Sequence, residues 1–214
     1  MAALKGAFLQ FGAKLLGALP SIVVFQFNPA QVSRTPSLVT PPQSPDNSGK
    51  VDSLQQPSQP SETLSFTLRL DATEQLAAGN PIARANGVLP MLSALELLML
   101  PQSSSINLFG SGSGPSQFPP AKLSTVLFFW GTFRILPVAI TSMNVTETEY
   151  DTFLNPIRAD VSINLSVLQP SQLAGDTLAQ GAYSFSQNIK QVMAALNTAT
   201  SAQIGVSSAL PFSF

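Results

Sequence analysis

Between residues 160 and 168 apolar and polar side chains alternate without a break. Val161, Ile163, Leu165 and Val167 fall on one side, and Ser162, Asn164 and Ser166 on the other. A period of two is the signature of a strand with one face on a core and the other turned to water or to a polar contact. The same pattern occurs at 62–71, with Leu64, Phe66, Leu68 and Leu70 inside and Ser65, Thr67 and Arg69 outside. Within 122–168 two further strands are expected, an apolar run at 126–130 and a mixed β-branched and polar run at 137–148. Gly131 and Pro137 punctuate the first connection, and Phe153-Leu154-Asn155-Pro156 marks the second as a turn within 150–158. Three such strands form a meander that still has to cover its apolar face, so more strands or helices must come from elsewhere in the chain.

The preceding residues supply them. Residues 4–11 read as a strand and 12–19 as a loop or short helix. The lysines and small residues of the first twenty positions imitate a secretion signal, but Gln10 and Lys14 interrupt its apolar stretch. No run of 18 apolar residues is available for a membrane span. Residues 21–27, SIVVFQF, are apolar on both sides and read as a central strand closed by Asn28-Pro29. The proline-rich stretch 35–61 reads as a flexible loop or an arm lying along a partner, and 101–121 as a second flexible loop. Glycines within that second loop imitate a phosphate cradle, but no Lys-Ser/Thr pair follows them.

Residues 73–83, containing Gly79-Asn80-Pro81, read as loop, and 87–100 as a helix with Leu92, Leu95 and Leu98 in its stripe. Pro90 suits the first turn of that helix, and Pro101 ends it. Residues 169–214 are expected to be a helical or irregular extension, its first half weakened by Gly175 and Gly181, with an apolar tail at 210–214. The expected architecture is therefore mainly β with some helix, as a β-domain over 1–168 and an extension over 169–214.

Composition narrows the function. Only 10% of the 214 residues are charged and 44% are hydrophobic, which suits a chain whose surface is largely covered by neighbours. A net charge of −1 with scattered Lys and Arg argues against a nucleic-acid interface. The chain has no Cys and no His, which removes thiol nucleophiles, zinc-thiolate sites and the commonest general base. A hydrolase would be left with Glu147, Glu149 and Asp151, and a calcium site with these and Asn155, but neither set has the partner spacing its chemistry needs. No enzymatic activity, cofactor or metal is expected.

Several segments carry a family resemblance, in the right order over about 4–168. Phe25-Gln26-Phe27-Asn28-Pro29, followed by Arg34, resembles the opening of the tube-like domain shared by contractile injection systems and phage-tail-like baseplate proteins. Arg69 and Asp71 within 66–73, the Gly87 to Leu95 helix motif, Trp130 after the 126–129 run, and Asn155-Pro156-Ile157-Arg158 are similar to its middle and end.

The resemblance implies a small antiparallel tube-type β-barrel with one packed helix, assembled as a homohexameric ring. It implies a baseplate component joining the inner tube and spike hub to the baseplate, with inner tube proteins, the spike or hub protein and baseplate wedge proteins as partners. Assembly would take place in the bacterial cytoplasm, in a phage-tail-like particle that is released or membrane-attached. The residues expected at subunit contacts or in family motifs are Phe25, Phe27, Asn28, Pro29, Arg34, Arg69, Asp71, Trp130, Asn155, Pro156 and Arg158. Many relatives carry a C-terminal LysM module, and 170–214 shows no such pattern. An inner-tube initiator or tube subunit is the alternative within the family. A monomeric β-sandwich surface-binding module is the alternative outside it, and such a module would need an exposed aromatic platform, whereas Trp130 lies in an apolar run. Ser65, Thr67, Ser162, Asn164 and Ser166 are candidates for a polar lumen face.

Overall fold

The computed structural model describes residues 4–10, 21–38, 60–100 and 125–203. The expectations for 12–19, for 101–121, for most of 35–61 and for the tail at 210–214 lie outside the described residues. Seven strands form one antiparallel sheet: β1 (Ala7–Gln10), β2 (Ser21–Val24), β3 (Ser33–Ser37), β4 (Ser61–Asp71), β5 (Val126–Phe129), β6 (Ile135–Tyr150) and β7 (Pro156–Val167). Their order across the sheet is β2-β1-β5-β6-β7-β4-β3. The helices are α1 (Thr73–Ala77), α2 (Pro81–Asn86), α3 (Leu89–Leu97) and α4 (Thr177–Gln203), with a 3-10 turn at Pro170–Gln172. The protein is thus mainly β with several helices rather than one.

The alternating strands β4 and β7 lie side by side, with Leu64 opposite Leu165, Phe66 opposite Ile163 and Leu68 opposite Val161, all buried. The meander β5-β6-β7 forms as its pattern requires. In β6 a bulge at Thr141, between Ile140 and Ser142, shifts the phase. It keeps Val138 and Ile140 over Val167 and Leu165 on the inner side while Ser142 and Asn144 face outward beside Asn164 and Ser162. The connection expected over 150–158 is shorter than that, because β7 starts at Pro156 and takes Ile157 and Arg158 into the ladder.

The sheet is rolled. Phe66 on β4 and Phe128 on β5 have two strands between them, yet their ring centroids are 5.4 Å apart. On a flat sheet three strand spacings would hold them about 14 Å apart. Phe8 on β1 lies 6.3 Å from Phe66 and 5.2 Å from Phe25, so four phenylalanines from distant parts of the chain close one cluster. Aromatic rings bury the most apolar area per residue, and their clustering fixes the curl. Among the described residues the end strands β2 and β3 are not paired with each other.

Residues 21–24 form an edge strand, not a central one: among the described residues β2 pairs only with β1, and Ile22 and Val24 are exposed. Their apolar character on both sides reflects an uncovered surface rather than burial between strands. Residues 73–83 are helical rather than loop, because the Asn80 side chain accepts from the Ile82 and Ala83 amides and Pro81 occupies the first turn of α2. The first residues of the proline-rich stretch also pair, as β3, where Pro36 is tolerated because the strand is an edge.

Helix α4 spans 27 residues through Gly181. Its first half packs into the core through Ala179 and Tyr183, joined by Leu173 just before it, while every residue of 191–200 is exposed. Truncation after residue 191 is therefore expected to change Tm by no more than about 2 °C. Truncation after residue 168 strips three core side chains and should lower Tm by about 10 °C or more. Thermal unfolding followed by circular dichroism distinguishes these outcomes, and equal losses in both would mean that α4 does not dock as described.

Candidate functional site

All but one of the residues singled out by the motifs fall into two groups, at opposite ends of β4. The larger group surrounds the β6–β7 turn. Gln26 spans the backbone of Asp71, its Oε1 accepting from the Asp71 amide at 2.9 Å and its Nε2 donating to the Asp71 carbonyl. Asn28 likewise clamps the first strand, accepting from the Gly6 amide at 2.9 Å and donating to the Leu4 carbonyl at 2.8 Å. These contacts explain why the FQFNP segment needs both amide side chains. The same segment places Phe25 in the aromatic cluster, leaves Phe27 exposed and half-buries Pro29.

Asp71 accepts from Arg158 Nε at 2.8 Å and from the Thr73 amide at 2.8 Å. Burial works against its charge, but the bonds from Thr73 and Arg158 prevail and hold its carboxyl below the usual range. Arg158 also reaches Glu149 at 2.6 Å, and the hydrogen bond it donates to Asp71, together with the charge of Asp71, raises the guanidinium above its ordinary value. Asn155 donates to Asp151 at 2.9 Å and to the Ala85 carbonyl at 3.1 Å. Pro156 accepts from the Val88 amide at 2.9 Å. The N-terminal segment, the end of β4, the helical segment and the β6–β7 turn are thus tied into one brace.

That brace presents an exposed tip. Phe153 and Leu154 are 82% and 79% exposed, and Glu147, Glu149, Tyr150 and Asp151 stand beside them. Glu149 and Leu154 hold φ of 55° and 65°. Each such left-handed residue costs about 1–2 kcal/mol, so the turn is set by its surroundings rather than by local preference. Asp151 is committed to the turn: its bonds from Asn155 and Phe153 keep its carboxyl below the usual range. Among the described residues no set of three or more acidic side chains is placed to share a cation.

The second group lies at the far end of β4. Glu62 occupies an inward position in register with Leu64 and is buried, a place a carboxylate holds only when paired. Arg34 on β3 meets Oε1, with Nε at 2.7 Å, and Lys190 on α4 meets Oε2 at 2.9 Å. Burial alone would raise this carboxyl, but the bonds from Lys190 and Arg34 outweigh it and the net shift is downward. Arg134, on the β5–β6 turn, completes a cleft of about 410 Å³ lined also by Trp130, Phe133, Ile189 and Met193. Burial, and then the charge of Arg34, lower the Arg134 guanidinium from its ordinary value. Trp130 stacks on Phe128 at 6.0 Å and is partly buried.

Because the folded-state value for Glu62 lies below its ordinary 4.5, its contribution to stability is complete above that value and is lost as pH falls through the lower one. Glu62→Gln removes the titrating group. Unfolding midpoints measured between about pH 6 and pH 3 should fall less steeply in the variant than in the parent; parallel profiles would show that the ion cluster contributes nothing.

Arg69 belongs to neither group. It pairs loosely with Asp160 at 3.4 Å on the outer face of the sheet, and both are well exposed, so the pair adds little stability. Next to it on the same face Asp71 and Arg158 form a second pair, and on the other side the band is uncharged. Thr63, Ser65 and Thr67 on β4, Ser162, Asn164 and Ser166 on β7, and Ser142, Asn144 and Thr146 on β6 share the outer face. Thr67 and Ser162 hydroxyls are 3.1 Å apart, and Asn164 donates to Ser142 at 2.9 Å. The five residues read as a polar face in the sequence do lie together.

Sequence reasoning missed Glu62 and Lys190. A carboxylate in the inward phase of an alternating strand was the available signal for Glu62, but its partner on α4 is 128 positions away. No helix among the described residues is long and apolar enough to cross a membrane. Comparison with protein-family models finds no matching family, and comparison with curated proteins finds no significant match.

Proposed function

We propose that this chain is a structural, non-enzymatic ring subunit at the junction of inner tube, spike hub and baseplate in a contractile injection apparatus, with a homohexameric ring as its working form. The observation that carries this reading is the three-strand outer face made largely of Ser, Thr and Asn, whose charged residues, Arg69 with Asp160 and, at its end, Arg158 with Asp71, are paired. A channel through which a spike or cargo moves needs a wall that is wetted but holds no net charge or apolar patch to bind the traveller. A face of hydroxyls and amides, with Thr67 bonded to Ser162 and Asn164 to Ser142, satisfies both demands.

Two further features support assembly. The edge strand β2 leaves Ile22 and Val24 exposed beside a strand edge that no other described strand pairs with, a surface suited to continuation across a subunit boundary. The second half of α4 leaves Val192 and Leu196 exposed, as an arm for a neighbouring wedge or tube protein. In this reading the rolled sheet acts as a tube-type barrel, and the particle assembles in the bacterial cytoplasm without nucleic acid or membrane insertion. A single rolled sheet with Trp130 partly buried against Phe128 favours this over a monomeric β-sandwich with an aromatic binding platform. Native mass spectrometry of the purified chain tests the ring: closed oligomers of one size are expected, and a monomer at all concentrations would overturn the proposal.

A further inference from the structure

We propose that the cation-lined cleft beside the start of β6 receives the acidic, apolar β6–β7 tip of a second copy of this chain. The contact rests on the reading of the protein as a ring subunit and specifies what joins neighbouring copies.

The two surfaces are complementary in charge. In the cleft Arg34, Arg134 and Lys190 face the single carboxylate of Glu62, and Arg134 forms no ion pair among the described residues. Positive charge is therefore left over, beside the apolar surface of Phe133 and Met193. At the tip the sign is reversed: Glu147, Glu149 and Asp151 stand within five positions, and Arg158, which pairs with Glu149, is shared with Asp71.

They are also complementary in shape and solvation. Phe153 and Leu154 are the most exposed large apolar side chains among the described residues, held outward by a turn with two left-handed residues. The cleft, at about 410 Å³, has room for a large side chain between the β5–β6 turn and α4. Docking would bury apolar surface that is otherwise left in water and would set carboxylates against guanidinium groups, which favours both affinity and correct orientation.

The contact must be between copies. Cleft and tip lie at opposite ends of β6, whose 16 residues span about 50 Å, so one chain cannot join its own two ends. A tip-to-cleft contact uses different patches on the two partners and is therefore head-to-tail. Such contacts generate closed rings when the rotation between neighbours closes.

Sedimentation analysis of three full-length proteins tests this: the parent, a cleft variant (Arg134→Glu) and a tip variant (Phe153→Lys with Leu154→Lys). Each variant alone should associate about tenfold or more weakly than the parent. Their equimolar mixture should give heterodimers, because one supplies an intact tip and the other an intact cleft. Phe133→Asp serves as a second cleft variant outside the ion cluster, and circular dichroism confirms that each protein is folded. Variants that form rings as the parent does, or a mixture that stays monomeric beside an associating parent, would overturn the contact while leaving the ring reading in place. A parent that never associates would overturn both.

Discussion

Replacing Phe128 by alanine is expected to remove about 3–5 kcal/mol of folding stability, among the largest single losses a core substitution causes. Phe128 is fully buried and touches the rings of Phe8, Phe25, Phe66 and Trp130, with centroids between 5.4 and 6.3 Å away. It stands where β4, β5 and the N-terminal segment converge, so its loss leaves a cavity that no single neighbour can fill. Because domains of this kind are stable by only about 5–15 kcal/mol, the loss would take a large share of the total. Denaturant unfolding measures it. A change below about 1 kcal/mol would mean that the sheet is not curled around this ring.

Gly87→Ala is expected to cost about 3 kcal/mol, combining backbone strain with a lost hydrogen bond. Gly87 has φ +57°, and an added Cβ would lie 2.1 Å from the Pro156 carbonyl oxygen, the acceptor of the Val88 amide. The helical segment would have to move off the β6–β7 turn, opening the brace that holds the exposed tip. Gly79 separates the two causes, since its φ of +73° is similar but nothing lies within 4 Å of an added Cβ. Gly79→Ala should therefore cost only the conformational part, about 1 kcal/mol. Equal losses at the two positions would show that the close approach at Gly87 carries no weight.

What the sequence disclosed follows from how local each signal is. The alternation of β4 and β7 is a property of consecutive residues, and both strands form in the phase it dictates. The helix at Leu89–Leu97 is equally local, with Pro90 in its first turn and Leu92 and Leu95 buried. β6 showed no clean alternation because the bulge at Thr141 changes its phase midway. The helices α1 and α2 were hidden because Gly79-Asn80-Pro81 looks like a loop signal, yet Asn80 and Pro81 also make the best start for a new helix. β2 was placed at the centre because Ile22, Val23 and Val24 are all apolar, and no local pattern separates burial on two sides from an exposed edge. The site divided in the same way. Gln26, Asn28, Asn155 and Arg158 were marked by motif, whereas the Glu62 cluster needed the docking of α4, a long-range event that leaves no pattern in neighbouring residues.

Electron microscopy of particles that carry the chain would decide its proposed place in a larger machine. A six-fold ring is expected at the junction of tube and spike, with the Ser-, Thr- and Asn-lined face of β4, β7 and β6 turned toward the axis. Particles that assemble fully without the protein, or density showing that face turned outward against a partner, would contradict it.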